Sequence, residues 1–209
     1  MLARSLLLTV AAAVLAVLSV KVLALWRRRR QLARLAHQLG LMFSPGDPLD
    51  LTWRCQAFAL CRAGHGLRVR NVLHGHTEMG AFRGCEMSFE VGHGPTRLAR
   101  RYSVMIFEPP GHLPTGLLWH GQDEPAPLSA GLSDRCAGPW RLAGAPQCTA
   151  RLAEAFGGWA DRPIHVEARQ DALMLASPQR WSVRQWREVL AQASGAVGAL
   201  QDKPIKAES

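Results

Sequence analysis

Gly84-Cys85-Glu86-Met87-Ser88-Phe89-Glu90-Val91 (GCEMSFEV, residues 84–91) alternates without a break, with Cys85, Met87 and Phe89 on one side of an extended chain and Glu86, Ser88 and Glu90 on the other. Period two over this length predicts a half-buried strand. On its N-terminal side, Arg68 to His74 (RVRNVLH) alternates in part, and Thr77 to Gly80 supplies a turn. On its C-terminal side, Arg101 to Phe107 (RYSVMIF) is a more fully apolar strand, ended by Glu108-Pro109-Pro110-Gly111. The gaps are turn-sized and leave no room for a crossover helix, so the three strands predict an antiparallel meander. Period two is expected to begin as early as Leu51.

Further along, Pro110 to Pro146 is rich in Gly and Pro and reads as irregular loop with one short strand around Leu117 to His120. Gln147 to Phe156 predicts a helix with Cys148, Leu152 and Phe156 on one side, closed by Gly157-Gly158. Ile164 to Arg169 and Ala172 to Ala176 flank Gln170-Asp171 as a hairpin. The last element is the best specified. Ser182-Val183-Arg184-Gln185 has capping-box spacing, Trp181 and Trp186 occupy the two staple positions, and Val183, Trp186, Val189, Leu190, Ala193 and Val197 form one stripe. Strands segregated from helices predict the α+β class: an N-terminal transmembrane helix, then one small domain with an antiparallel sheet and a C-terminal packing helix.

Ahead of the domain, Ser5 to Trp26 (SLLLTVAAAVLAVLSVKVLALW) makes a helix of about 33 Å at about 1.5 Å per residue, enough for a hydrocarbon core of about 30 Å. Lys21 lies near the end of the span, where its stem carries the ammonium toward the interface, and Trp26 stands where an interfacial aromatic is expected. Arg27, Arg28, Arg29 and Arg30 follow at once. A cleaved signal, with Arg4 as its charged region and cleavage near Val22-Leu23-Ala24, would have to drag four arginines across the membrane. Clustered arginines beside a span stay in the cytosol, so the reading is an uncleaved anchor with the domain on the cytosolic side of a bacterial inner membrane. Lys21, Trp26 and Arg27 to Arg30 are assigned to the membrane interface. Leu32, Leu35 and Leu39 continue the helical spacing to Gly40, and Ser44-Pro45-Gly46-Asp47-Pro48 breaks it, which predicts a short juxtamembrane stalk and turn. The layout is therefore an anchor with its basic flank at 1–30, a juxtamembrane helix and turn at 31–48, the α+β domain at 49–200 and a disordered tail at 201–209.

The net charge of +9 invites a nucleic-acid reading, but six of the 25 basic residues precede Gln31 with no acidic residue among them, which leaves 19 basic against 16 acidic thereafter. A nucleic-acid-binding domain carries its excess on the folded part, so nucleic acid is not expected as a partner. Five cysteines at irregular spacings, in a chain large enough to build a core, favour reduced thiols and a reducing compartment.

Chemistry is sparse. Cys55, Cys61, His65, His74, His76, Cys85 and His93 are soft or borderline ligands within one stretch, yet no Cys-x-x-Cys pair occurs and His74-Gly75-His76 is the one close pair. Cys85, inward among Met87 and Phe89, reads as a small apolar side chain. Gly64-His65-Gly66 and Gly92-His93-Gly94 look like a repeated motif and read as turns, while Asp47 and Asp50 read as turn caps. A nucleophile such as Cys61 needs a histidine that sequence alone does not select. No catalytic, cofactor-binding or metal residue is assigned, and no cofactor is expected.

Gly40-Leu41-Met42-Phe43-Ser44-Pro45-Gly46-Asp47-Pro48, then Phe58-Ala59-Leu60, then Gly64 to Gly75 (GHGLRVRNVLHG), resembles a group of uncharacterised bacterial single-span membrane proteins with a small cytosolic domain. The resemblance covers about residues 27–200 and departs at Met87 to Gly92, where those proteins carry a more aromatic run. It implies the architecture and no activity. The expected function is a membrane-anchored binding module, whose partners are the lipid bilayer and a protein or a second copy of itself. The alternative is a membrane-tethered Cys/His enzyme or metal-binding sensor.

Overall fold

The computed structural model describes residues 2–120, 136–159 and 161–201. Of the disordered tail expected over 201–209, Gln201 instead ends the last helix, and the rest lies outside the described residues. The chain opens with one unbroken helix, α1 (Leu2–Gln38), ended by Gly40 at φ 69°, where a side chain would be strained. After β1 (Met42–Ser44) come the short helices α2 (Leu51–Arg54) and α3 (Ala59–Arg62), joined by a 3-10 turn over Cys55–Ala57. Period two therefore begins later than Leu51. Asp47 accepts bonds from the Leu51 and Thr52 amides at 2.9 and 2.8 Å and starts α2, so this stretch coils.

The predicted meander follows as β2 (His65–Thr77), β3 (Gly80–Val91) and β4 (Leu98–Glu108), antiparallel throughout. Next come β5 (Gly116–His120), β6 (Cys136–Ala137), β7 (Trp140–Gly144), α4 (Pro146–Ala155), β8 (His165–Ala168), β9 (Leu173–Ser177) and α5 (Val183–Gln201). Together the strands form a nine-stranded sheet in the order β1-β2-β3-β4-β9-β8-β5-β7-β6. The short strand around Leu117 is present as β5. The region expected to be irregular also holds β6 and β7, because Trp140 and Leu142 alternate inward with Arg141 and Ala143 outward.

Each face of the sheet carries its own core. One face packs Phe82, Leu73, Met105 and Leu175 against α4, α5 and Leu32, Leu35 and Ala36 of α1. The other packs Cys85, Met87, Phe89 and Val104 under α2 and α3. The alternation of residues 84–91 thus sends Cys85, Met87 and Phe89 into the second core and leaves Glu86, Ser88 and Glu90 half-buried on the other face. The cap of α5 forms as expected: the Ser182 amide donates to Gln185 Oε1 at 2.8 Å, the Gln185 amide to Ser182 Oγ at 3.2 Å, and Trp181 meets Trp186 edge-on at 5.0 Å. The predicted hairpin also forms, with Arg169 and Ala172 exchanging backbone bonds around Gln170-Asp171.

The juxtamembrane stalk is not free. Leu32, Leu35 and Ala36 are among the most deeply buried residues of the chain, so the last turns of α1 form a core helix of the domain. The apolar stripe over Leu32, Leu35 and Leu39 has the spacing a packing helix needs, and the sheet supplies the partner.

Candidate functional site

The chemistry-bearing residues of the sequence do not assemble into one site. Cys55, Cys61 and Cys85 lie in the core under α2 and α3, and Cys61 Sγ stands 3.8 Å from Met87 Sδ. The hydrogen bond with Cys55, burial and the neighbouring thiols and Glu167 push the Cys61 thiol up, and burial does the same to Cys85. Thiols so placed are poor nucleophiles at neutral pH. His74 and His76 lie on β2 opposite Arg83 and Ala81. The two Gly-His-Gly stretches do meet: the rings of His65 and His93 stack at 5.0 Å and 11°, beside turns in which Gly66, Gly92 and Gly94 have positive φ. Among the described residues, no group of three His, Cys, Asp or Glu side chains is placed to hold a metal.

Two buried polar groups escaped the sequence reading because their partners are distant in the chain. Glu167 Oε2 on β8 accepts from the Ala59 amide at 2.7 Å and caps α3. Burial raises its carboxyl, and the Ala59 amide, Arg169 and Arg62 offset this in part. His165 stacks on Trp119 at 3.7 Å, and its Nδ1 accepts from the His120 amide at 3.0 Å.

The arrangement that stands out lies where α1 enters the domain. Among the residues assigned to the membrane interface, Lys21, Trp26, Arg27, Arg29 and Arg30 are exposed, and the Arg30 guanidinium lies 4.1 Å from the Trp26 ring centroid. Arg28 instead turns inward, with its side chain 11 % exposed. Its Nε and Nη2 donate to Glu86 Oε1 at 3.0 and 2.8 Å, and Nη2 also reaches the Trp181 carbonyl at 2.5 Å. Arg180 adds two bonds to the same carboxylate at 3.0 and 3.2 Å. Asn71, left-handed at φ 53° in a β-bulge of β2, donates Nδ2 to Glu86 Oε2 at 2.7 Å. Asparagine tolerates that backbone better than most residues. Burial works to raise the Glu86 carboxyl, but the bonds from Arg180 and Asn71 and the charge of Arg28 outweigh it and hold the group below the ordinary carboxylate range. One carboxylate thus ties α1, the β2 bulge, β3 and the loop before α5 together.

A second surface feature lies on the other face of the sheet, toward the Gly80 end of β3. An open groove of about 520 Å³ is lined by Leu51, Phe58 and Ile106 and by charges of both signs, Arg54, Arg169, Glu108 and Asp171 among them, with Trp53 in its wall 68 % exposed.

From Thr9 onward α1 is long and apolar enough to cross a membrane, and its apolar window makes no contact with the domain. No protein-family model and no curated protein sequence matches the chain. Among solved structures it is similar in fold to the crystal structure of the mycobacterial trehalose monomycolate transport factor A, TtfA, with a TM-score of 0.58 at 14 % identity, over 86 % of this chain and 98 % of that one. At that identity the likeness is one of fold: a mixed α+β architecture shared with a bacterial protein.

Proposed function

We propose that this chain is a single-pass bacterial inner-membrane protein whose α+β domain lies on the cytosolic side and binds a protein partner, or a second copy of itself, at a fixed distance from the bilayer. The observation that carries this reading is the junction at Arg28. The helix suited to cross the membrane continues without a break into the core, and Arg28, two residues after Trp26, is already bonded to Glu86. No linker intervenes. A flexible tether would let the domain tumble, whereas a continuous helix fixes both its height and its orientation. Such a constraint serves a module that must present one surface to a neighbour.

The arginine run supports the cytosolic side, because clustered arginines resist translocation. The separation of Cys61, His65, His74 and His76 favours a binding module over a Cys/His enzyme or metal sensor. The groove at Trp53 lies toward the Gly80 end of β3, away from the end where α1 leaves, and a large exposed aromatic ringed by charges of both signs is the chemistry of an interface anchor. The neighbour in fold is described as a transport factor, which favours a membrane transport assembly as the setting. The test is photo-crosslinking in cells from a reactive residue placed at Trp53 of the full chain. A reproducible protein adduct, or an adduct with a second copy, is expected, and it should be lost when Arg54 and Arg169 are changed to glutamate. Failure to form any protein adduct from this position overturns the reading.

A further inference from the structure

The direction of α1 across the sheet defines which end of the domain meets the bilayer. At the C-terminal end of α1, Leu41 packs on Gly75, whose added Cβ would lie 2.9 Å from Leu41 Cδ2, and Gly75 pairs with Phe82. Ten residues back from Gln38, the last residue of α1, about 15 Å at about 1.5 Å per residue, Arg28 meets Glu86. Phe82 to Glu86 advances about 13 Å along β3 at about 3.3 Å per residue. Moving along α1 toward the membrane is therefore moving along β3 toward Val91. Beyond Glu86, β3 and β4 continue for five more residue pairs, to Val91 opposite Leu98, about 17 Å further at about 3.3 Å per residue. Trp26 lies about 3 Å past Arg28 at about 1.5 Å per residue. The end of the β3–β4 hairpin thus lies on the bilayer side of the Arg28–Glu86 junction, diverging from α1, whose apolar window is not buried against the domain.

This end is chemically distinct. Arg68 on β2 and Arg101 on β4 flank Ser88 in one cross-strand row. They share the face of the sheet that carries Glu86, the face α1 crosses, and Arg70 stands beside them opposite Glu86. All three arginines are exposed, and none has an ion pair among the described residues. Where β4 begins, Leu98, opposite Val91 and so on the other face of the sheet, is 59 % exposed, next to Arg97, which pairs with Glu90. Arg27, Arg29 and Arg30 extend the cationic surface onto α1.

We propose that the membrane-ward end of β2, β3 and β4, with Arg68, Arg70 and Arg101 on the face that α1 crosses and Leu98 at the hairpin end on the other face, is a second membrane contact that docks on anionic phospholipid headgroups. This inference rests on the anchored reading and goes beyond it: the span holds the chain, and the sheet face sets the domain's tilt by recognising surface charge. Each arginine near an anionic surface contributes an attraction that corresponds to about a fivefold change in contact. Leu98 supplies apolar area at the level of the headgroups. The surface is continuous with the helix that enters the bilayer, so the lipid is brought to it at high effective concentration.

The test uses the full chain carrying Cys136→Ser and Cys148→Ser, with a fluorophore at Leu98→Cys or, as a control at the far end of β2, at Glu78→Cys. Each is reconstituted in vesicles of phosphatidylcholine alone or mixed with phosphatidylglycerol, with a headgroup-attached quencher. Strong quenching at position 98 in the anionic vesicles, little at position 78, and a loss of about fivefold per arginine on Arg68→Gln and Arg101→Gln are expected. Arg68→Glu and Arg101→Glu should abolish the contact while the chain still floats with the vesicles. Position 98 no more quenched than position 78, or quenching indifferent to lipid charge and to both arginines, overturns the inference and leaves the anchor standing. A chain that does not float with either vesicle overturns both.

Discussion

Arg28 and Glu86 are 58 residues apart in the chain, and their side chains meet at 2.8 Å where the N-terminal helix stops being exposed and becomes part of a core. The contact converts a leader and a domain into one body. The carboxylate is 17 % exposed and accepts from Arg28, Arg180 and Asn71, so removing it strands an inward-facing guanidinium and the bulge amide together.

Glu86→Ala is therefore expected to destabilise the domain by about 2–4 kcal/mol, since breaking a largely buried pair leaves its partner uncompensated. Arg180→Ala, at a side chain 55 % exposed, should cost less than about 1 kcal/mol. Denaturant midpoints of the two variants in detergent, followed by tryptophan fluorescence, check the ordering.

Acid should loosen the same junction. Glu86 and Asp47 are both held below the ordinary carboxylate range, in each case by hydrogen bonds that overcome burial. A carboxyl whose folded pKa lies below its unfolded one contributes stability that is complete above the unfolded value, about 4.3 for Glu and 3.9 for Asp, and is lost as pH falls through the folded value. Neither group lowers the denaturant midpoint between neutral pH and about pH 5, and the midpoint should fall below about pH 4. Glu86→Gln should be less stable than the parent at neutral pH and draw level with it in acid.

Glu167 has the opposite sign. Burial raises its carboxyl, so its contribution is complete below the unfolded pKa and fades as pH rises through the folded value. Glu167→Gln keeps an acceptor for the Ala59 amide and removes the buried charge. At neutral pH it should match or exceed the parent's stability, whereas Glu167→Ala loses the cap of α3 and should cost about 1–2 kcal/mol. Paired thermal melts decide it.

Gly84 lies under the indole of Trp186, and a Cβ there would come 2.7 Å from the ring. Gly84→Ala should displace α5 from the sheet at a cost of about 1–3 kcal/mol, the usual cost of overpacking. Trp186→Leu, which vacates the space, should rescue part of that loss in a double-mutant cycle.

Cys148 is partly exposed, while Cys55, Cys61 and Cys85 are buried. With the domain in the cytosol, a membrane-impermeant thiol reagent should leave Cys148 unmodified in intact cells and modify it after permeabilisation. Labelling in intact cells would reverse the proposed topology.

Local pattern determined a good part of this protein. Alternation at 84–91, the Ser182–Gln185 box with its tryptophan staple, the Gln170-Asp171 hairpin and the apolar leader each depend on neighbours within a few residues, so periodicity and capping chemistry suffice to read them. Tertiary structure decided whatever depends on a distant partner. Leu32 and Leu35 could equally have lined a free stalk, and they became core because the sheet offers an apolar face. Arg28 belonged to a run of four arginines and was singled out because Glu86 lies one helix face away. Glu167 and His165 became a cap and a stacked core group through strands that meet by long-range pairing. The separation of the cysteines from the histidines has the same origin, since strand register, which no short window of residues contains, sets where each side chain arrives.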